Sequence, residues 1–485
     1  MTYPQIIRYL ESLINYERLS SYPYKEFLKL DRIRDFLFAI GNPQDALKCI
    51  HVAGTKGKGS TVAFITYILR EAGYKVGLYT SPHLSDFRER IRILNPKSEI
   101  RPAQLVKYSG IPQLAGNPKL EFEGMISKGN LARMVKKLKP GIEKYNKNSR
   151  YGPLSFFEVY TALAFVYFKE KKVDFAVLET GLGGRLDATN TVKPLVCAIA
   201  PISYEHTQKL GNTLREIASE KAGIIKRAIV ISAPQKKEAI DVIRKKCNQV
   251  HAKFYEVSKG ITYKVKGQGL KHPALRLCLS EGKVYRPCGN RRVSRPLWEV
   301  KGIFNDYKGL KLRLLGEHQV INAATAIGAV EALRFYGINI GIDAIKNGLY
   351  NTLWPGRCEV AVKKPFIVLD GAQNIASAKA LKEAVKNNFQ YKKLILVLGI
   401  SNDKDLKGIC DELRPLADEV VLTRANNPRA TKPQVLAQYF KGKPVYITQS
   451  VKEAKDSAKR LAKKEDLVLV TGSLFVVGDF RDAKS

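Results

Sequence analysis

Short apolar runs and longer amphipathic stretches alternate along the whole chain. Residues 49–53 and 173–178 are mainly apolar runs of the length that buried strands have. Residues 61–73 and 156–170 instead read as helices, and the first of them ends at a glycine. Strands that alternate with helices favour a parallel sheet covered on both faces, so the sequence predicts an α/β fold. Further strands are predicted at residues 75–80, 195–201, 366–370, 393–399, 419–423 and 467–471, and a further helix at 318–336.

A glycine-rich stretch separates the first buried strand from the first helix. Glycines allow the backbone to approach phosphates closely, the helix start favours negative charge, and lysine neutralises that charge. Such a turn between a strand and a helix predicts a nucleoside triphosphate site, with Ser60 offering its hydroxyl to a metal ion. The alternative is a flexible basic loop without a ligand, which the flanking strand and helix disfavour. The stretch consists of Gly54, Thr55, Lys56, Gly57, Lys58, Gly59 and Ser60, so Gly59 stands between the lysine and the serine that are usually adjacent.

Length and composition indicate a globular protein of more than one domain. A chain of 485 residues is too long for one core, and the turn-rich residues 353–357 predict domains over 1–352 and 353–485. No apolar run approaches the ~20 residues needed to cross a bilayer. The first residues lack the pattern of a signal peptide, and the seven cysteines lack CxxC spacing. These features predict a reduced, cytoplasmic protein with no membrane partner.

The net charge of +37 leaves three interpretations open: nucleic-acid binding, attraction of anionic substrates, or a basic proteome. The surplus is dense at residues 128–150 and 259–313, which carry no catalytic motif and are interpreted as solvated insertions. A nucleic-acid surface would add exposed aromatic residues to the basic ones. Only a faint pattern of that kind exists, so no specific nucleic-acid partner is expected. It comprises Tyr285, Arg286, Arg291, Arg292 and Arg295.

Ten further motifs follow the glycine-rich turn in a fixed order. They are SPHL (81–84), ERIR (89–92), FFEV (156–159), ETGLGGRLDATN (179–190), ISYEHT (202–207), EKAGII (220–225), HQVIN (318–322), WPGR (354–357), DGAQN (370–374) and TGS (471–473). With the turn, they resemble the folylpolyglutamate synthase/dihydrofolate synthase family of Mur-type amide ligases. The resemblance covers nearly the whole chain. It implies a parallel-sheet P-loop ATPase domain at the N-terminus and a smaller Rossmann-like α/β domain at the C-terminus.

The resemblance also implies a reaction and its small-molecule partners. ATP phosphorylates a carboxylate of dihydropteroate or of a folate glutamate tail, and the amino group of L-glutamate then displaces phosphate. Two Mg²⁺ sites and a monomeric protein are expected, and a monovalent cation is a further candidate. A cell-wall Mur ligase is an alternative, but it calls for a UDP-binding domain ahead of the turn, where only about fifty residues stand. A basic P-loop ATPase that binds nucleic acid is a more distant alternative.

The family's functional positions can be carried over residue by residue. For ATP they are residues 54–60 with Asn322, Arg357, Asp370 and Gln373. For metal they are Ser60 and, at the second site, Ser81, Glu158 and His206, with Lys221 as a further ligand if carbamylated. Lys58, Glu158, His206 and Lys221 are the expected catalytic residues.

Some of these positions have simpler explanations from the residues alone. Glu158 could be a charge on a helix face, but its apolar neighbours indicate a buried carboxylate that needs a partner, and a metal ion would serve. Phe27 and Leu28 match the pterin side of the family's substrate pocket, although Phe27 could equally be a core residue. Two positions depart from the family: Glu205 replaces an aspartate, and Gln373 replaces a histidine.

Overall fold

The computed structural model describes residues 1–17, 24–99, 122–266 and 297–483. Its first region is built on a seven-stranded sheet with the order β3-β2-β4-β1-β5-β6-β7, in which only β3 runs antiparallel to its neighbour. Since the parallel strands end at one edge, the loops after β1, β2, β4 and β5 lie side by side. The strands are β1 (Cys49–Ala53), β2 (Val76–Tyr79), β3 (Ile91–Leu94), β4 (Phe175–Glu179), β5 (Pro194–Ile199), β6 (Ile229–Ser232) and β7 (Lys253–Glu256).

Helices cover both faces of this sheet. Alternate strand residues point to opposite sides, so Cys49 belongs to a core shared with four helices on one face, whereas Ile50 belongs to a core shared with three helices on the other. The predicted α/β arrangement is therefore confirmed. The helices are α1 (Tyr3–Ser12), α2 (Tyr24–Phe27), α3 (Leu30–Ala39), α4 (Lys58–Glu71), α5 (Lys128–Asn148), α6 (Phe156–Glu170), α7 (Thr207–Leu210), α8 (Leu214–Ala222), α9 (Lys237–Gln249), α10 (His318–Glu331) and α11 (Ile342–Asn351).

The first basic segment, residues 128–150, was interpreted from the sequence as a solvated insertion. The structure shows that this interpretation is wrong. The segment forms α5, whose Leu131, Met134, Val135 and Leu138 are buried in the core. These residues recur at the spacing of one helix face, and the lysines occupy the other positions. The segment is thus a helix with one face in the core of the protein and its basic side chains on the other faces.

The second basic segment is also folded in the parts that the structure describes. Strands β8 (Thr262–Lys266), β9 (Leu297–Lys301) and β10 (Asp306–Leu310) form an antiparallel sheet. Val300, Tyr307 and Leu310 bury its inner side against the core that contains α10. The tyrosine and the arginines that faintly suggested nucleic-acid binding, Tyr285, Arg286, Arg291, Arg292 and Arg295, lie outside the described residues.

The second region is a six-stranded sheet with the order β11-β12-β16-β13-β14-β15, parallel except for β11. The domain boundary predicted at residues 352/353 falls between α11 and β11. Within the described residues, no helix combines the length and the apolar content that crossing a membrane requires. The elements are β11 (Glu359–Lys363), β12 (Phe366–Leu369), α12 (Ile375–Asn388), β13 (Leu394–Leu398), α13 (Leu406–Leu413), β14 (Glu419–Leu422), α14 (Pro433–Ala437), β15 (Val445–Ile447), α15 (Val451–Leu461), β16 (Leu467–Thr471) and α16 (Leu474–Asp482).

Candidate active site

A cavity of about 530 Å³ lies where the two regions meet. The first region contributes the glycine-rich turn and the loops after β2, β4 and β5, and the second contributes the loop after β12. Every predicted site residue except Phe27 lines this cavity. They are residues 54–60, Leu28, Ser81, Glu158, His206, Lys221, Asn322, Arg357, Asp370 and Gln373.

The glycine-rich turn fits closely against side chains that arrive from distant parts of the chain. Gly57 has φ 79°, and a Cβ on it would lie 2.1 Å from Oδ1 of Asn322. A Cβ on Gly59 would lie 2.9 Å from Nε1 of Trp354, which explains why a glycine stands between Lys58 and Ser60. The first amides of α4 have no acceptor within the helix. The turn can therefore present its backbone N–H groups and Lys58 to phosphate.

The turn is also fixed to the end of the neighbouring strand. The amides of Thr55 and Lys56 donate to the carbonyl oxygen of Pro201, at 3.0 and 3.1 Å. The Thr55 hydroxyl donates to the Ser203 carbonyl oxygen at 3.1 Å. These bonds fix the backbone of the turn against the segment that follows β5.

Glu179, which the sequence analysis did not select, ends β4 inside the cavity. Its Oε2 accepts a hydrogen bond from the Ser81 amide at 3.3 Å, and Nζ of Lys58 lies 4.0 Å from its Oε1. Burial raises the pKa of this carboxyl, and Lys58 opposes the shift. Its position at the carboxyl end of a buried strand was the signal that could have identified it.

Glu158 lines the same cavity but is held by protein partners. Nε of Arg32 lies 2.9 and 3.0 Å from its two carboxylate oxygens. The amide and hydroxyl of Ser155 donate to Oε2 at 2.8 and 2.6 Å, in a capping box at the start of α6. The predicted burial of this carboxylate is confirmed, and its partner within the protein is a guanidinium group.

His206 and Lys221 also line the cavity, and Lys221 contacts the turn directly. His206 precedes α7 in the left-handed region with φ 53°, and burial lowers the pKa of its imidazole to about 3. It is therefore neutral at physiological pH, the form that binds metal ions. Nζ of Lys221 donates to the Gly54 carbonyl oxygen at 2.8 Å. Burial, assisted by Lys58, lowers the pKa of this lysine to about 7.

Glu205 connects the turn to the second region. Its Oε1 accepts from Nζ of Lys56 at 2.9 Å and from Nδ2 of Asn374 at 3.2 Å. Burial alone would raise the pKa of Glu205, but Lys56 and the cations around it outweigh burial and hold the pKa well below its ordinary value. The residue that departs from the family pattern thus joins both sides of the cavity.

The second region supplies further charged side chains. Asp370 accepts from the amides of Cys358 and Ala372, at 2.7 and 2.8 Å, so its carboxylate is fixed by the backbone. Lys404 and Arg429, which the sequence analysis did not select, lie 3.2 and 3.4 Å from Asp403 and line the cavity. Lys404 follows the end of β13. Its position after a buried strand, like that of Glu179, could therefore have indicated a site residue.

An apolar wall occupies the side of the cavity where the N-terminal segment meets the loop after β4. It includes Leu28, which the sequence predicts to lie on the pterin side of a substrate pocket, together with Leu186 and Tyr16. Phe27 is 41% exposed, and its ring centroid lies 5.8 Å from that of Tyr16 in an edge-on arrangement. Residues 181–187 form a compact loop beside this wall, where Asp187 accepts from the amides of residues 181 and 182 at 2.8 and 2.9 Å.

The donor set fits magnesium that is shared with a bound phosphate. Within the described ranges, no group of three or more His, Cys, Asp or Glu side chains could hold a metal ion alone. Magnesium is usually held by one or two carboxylates together with waters and substrate phosphates. Ser60, Ser81, Glu179 and His206 bring hydroxyl, carboxylate and imidazole groups to the cavity that the turn opens into. The cavity therefore suits a metal bound with the nucleotide.

Comparisons with known proteins agree with this geometry. Residues 155–330 match the family model for the Mur ligase middle domain, and residues 356–474 match the Mur ligase glutamate ligase domain. The dihydrofolate synthase/folylpolyglutamate synthase of Bacillus subtilis is 33% identical over 93% of this chain and 94% of its own length. The Mycobacterium tuberculosis folylpolyglutamate synthase, solved with ADP and AMPPCP, superposes with a TM-score of 0.80 at 27% identity, covering 99% of this chain and 98% of that one. Escherichia coli FolC, solved with DHPP and ADP, gives a TM-score of 0.74 at 25% identity, over 99% and 96% of the two chains.

Proposed function

Because this chain belongs to the dihydrofolate synthase/folylpolyglutamate synthase family, it is an ATP-dependent ligase that joins glutamate to a folate substrate, and we propose how its cavity does so. One observation carries the proposal. The glycine-rich turn of the first region and Arg357 and Asp370 of the second region line a single cavity. ATP bound between them requires both regions in place, so closure of the two regions would complete the site.

The proposed reaction has two steps. A carboxylate oxygen of the folate substrate attacks the γ-phosphorus of ATP, so an acyl phosphate forms and ADP leaves. The neutral amino group of glutamate then attacks the acyl carbon, phosphate leaves, and the nitrogen loses a proton. The amides of residues 57–60, with Lys58 and Arg357, bind the phosphates and stabilise the charge that develops on them.

We propose that Glu179, and not Glu158, is the carboxylate of the metal site. Ser60 would serve a first Mg²⁺, and Ser81, Glu179 and His206 a second. Bound magnesium neutralises phosphate charge and polarises the phosphoryl group. The support is the difference in partners: Arg32 and Ser155 occupy the Glu158 carboxylate, whereas Glu179 faces Lys58 at 4.0 Å. Glu158 would then position α6 and the wall of the cavity.

Lys221 is proposed to carry a carbamate. A neutral lysine amine reacts with CO₂ to give a carbamate anion and a proton. Burial favours the neutral amine, and the carbamate would face Lys58 and the metal-binding groups. Incorporation of ¹³C-bicarbonate into the wild type but not into Lys221→Arg, measured by NMR, would support it. Equal spectra from the two proteins would contradict it.

We also propose a site for the incoming glutamate. Its two carboxylates need cations, and Lys209, Lys404 and Arg429 line the cavity on one side. Lys404 and Arg429 lie within the residues that match the glutamate ligase domain. Raised KM for glutamate, with unchanged KM for ATP, is the expected result for Arg429→Gln.

A monomeric state, a monovalent cation and a cytoplasmic location remain predictions. Five described cysteines, Cys49, Cys197, Cys247, Cys358 and Cys410, are buried and not disulfide-bonded. Unpaired thiols persist in reducing compartments, which supports the proposed location.

The proposed function can be tested with the purified protein. ATP, Mg²⁺ and L-glutamate are supplied with dihydropteroate or with tetrahydrofolate, and phosphate release is measured together with product mass. We expect a product heavier by one glutamyl residue with at least one acceptor. Phosphate release without that product, or no release with either acceptor, would contradict the proposal.

A further inference from the structure

A second cavity, of about 870 Å³, adjoins the apolar wall of the active site. Leu28 and Leu186 line both cavities, so the two spaces meet at these side chains. The second cavity is formed by the start of α3, the loop after residue 184, the segment after α8 and the end of α9. We call it the basic cavity. Both volumes are within the range that is usual for ligand sites.

The lining of the basic cavity is strongly cationic. Of the described residues that line it, Asp31 is the only carboxylate. That carboxylate lies 3.4 Å from a guanidinium nitrogen of Arg34, and both side chains are more than half exposed, so the pair contributes little. A cationic wall of this kind suits an anion with several charges. The cations are Lys29, Arg34, Arg185, Lys226, Arg227 and Lys246.

The cations are held close together by the fold. Nζ of Lys226 donates to the carbonyl oxygens of Asn190 and Val192, and Arg185 is fixed by Glu220 at 2.7 Å. Burial lowers the pKa of Lys226 to about 8, and the neighbouring Arg34 adds to the shift. An anion placed between these groups would relieve their mutual repulsion.

We propose that the basic cavity binds the γ-linked glutamate tail of long folylpolyglutamate substrates. This inference rests on the proposed function. The reacting carboxylate must lie at the glycine-rich turn, so the remainder of the substrate extends away from it, past Leu28 and Leu186. Each added glutamate leaves one ionised α-carboxylate in the tail. Beyond the apolar wall, such a tail needs cations, and the basic cavity supplies them.

The composition of the cavity favours a chain of carboxylates over a nucleic acid. Binding of single-stranded nucleic acid combines a basic groove with aromatic side chains on which bases stack. Among the described lining residues, Tyr151 is the only aromatic one. Tail recognition also predicts a dependence on tail length, because a substrate with one glutamate would end before the basic cavity.

The test uses a triple variant of cations that lie outside the catalytic machinery: Arg34→Gln, Arg227→Gln and Lys246→Gln. A matched control, Lys432→Gln, Lys441→Gln and Lys452→Gln, removes the same charge from exposed positions of the second region. The kcat and KM values are measured for tetrahydrofolate with one and with five glutamates. We expect KM for the pentaglutamate to rise about tenfold in the triple variant, because three modest ion pairs are lost. Its kcat, and KM for the monoglutamate, should stay within twofold, as should all values for the control.

Binding of a fluorescein-labelled penta-γ-glutamate peptide, followed by anisotropy, provides a readout that does not require turnover. The triple variant should bind about tenfold more weakly than the wild type and the control. Equal affinity in all three proteins, or an equal rise of KM for both substrates, would overturn the inference. Absence of turnover with either substrate would contradict the proposed function instead, and peptide binding would still decide the role of the basic cavity.

Discussion

Two glutamates of the active-site cavity differ in the partners that surround their carboxylates. Glu158, at the start of α6, and Glu179, at the end of β4, are both buried. Glu158 is bound by the Arg32 guanidinium and by two donors of Ser155. Glu179 receives one amide at 3.3 Å and faces a lysine 4.0 Å away that belongs to the phosphate-binding turn.

The difference lies in what each carboxylate can still accept. A carboxylate that is saturated by fixed donors stabilises the fold, because its charge is compensated within the protein. A carboxylate with weak or distant partners keeps acceptor capacity for a metal ion. The comparison therefore supports the proposal that Glu158 stabilises the fold and that Glu179 binds metal, and the following variants test that division.

Replacing the cation beside Glu179 should have the largest effect. Lys58→Ala removes the charge that faces the phosphates, and we expect kcat/KM to fall about 10³-fold, as for loss of a transition-state charge contact. Circular dichroism and the melting temperature should remain close to those of the wild type. Turnover near the wild-type rate would show that Lys58 does not contact the phosphates.

Glu179→Gln should have the next largest effect, on activity and on metal dependence together. The amide keeps the size of the side chain but lacks its charge, and we expect kcat to fall about 10²-fold with a raised Mg²⁺ requirement. Steady-state rates across a magnesium titration measure both quantities. An unaltered titration curve would remove Glu179 from the metal site.

Glu158→Gln should instead act on stability. It leaves Arg32 buried without a counter-charge, so we expect a loss of about 3 kcal/mol in the free energy of unfolding, measured with urea. The double variant Arg32→Gln/Glu158→Gln carries no unpaired charge and should recover part of that loss. The magnesium requirement of both variants should match that of the wild type. A raised requirement in Glu158→Gln would instead support the prediction made from the sequence.

Gln373→Ala should have the smallest effect. Gln373 is uncharged, so this variant shows how much activity is lost when an uncharged side chain of the same cavity is removed. Loss of an uncharged hydrogen bond to the nucleotide would lower kcat/KM for ATP by an amount equivalent to about 0.5–1.5 kcal/mol. Gln373→His serves as the control and should keep KM for ATP within a few-fold. If Gln373→Ala has wild-type kcat and KM, the side chain does not touch the nucleotide.

The fold was largely predictable from local pattern. The strand at residues 467–471 and the helix at 156–170 were predicted with the bounds that the structure gives. Local signals sufficed because buried strands are short apolar runs and the turn between β1 and α4 carries its own glycines. The interpretation of residues 128–150 as a solvated insertion was wrong. It considered the many lysines of the segment and overlooked the apolar face between them, which includes Leu131 and Met134.

The candidate site was predictable only where its residues carry a motif. The turn at residues 54–60 and the positions around Asp370 came from such motifs, and the structure brings them to one cavity. The distinction between Glu158 and Glu179 could not be predicted, since it depends on Arg32, which stands 126 residues before Glu158. Arg429 was missed for a similar reason, because only the folded chain places it beside Asp403, whereas the position of Lys404 after β13 could have indicated it.

The division between the two glutamates can be tested most directly by metal binding itself. Mn²⁺ replaces Mg²⁺ and is followed by electron paramagnetic resonance, with a non-hydrolysable ATP analogue present, in the wild type, Glu179→Gln and Glu158→Gln. We predict that Glu179→Gln binds one Mn²⁺ fewer, or binds it at least tenfold more weakly, whereas Glu158→Gln matches the wild type. The reverse result, with binding lost in Glu158→Gln and retained in Glu179→Gln, would contradict the account.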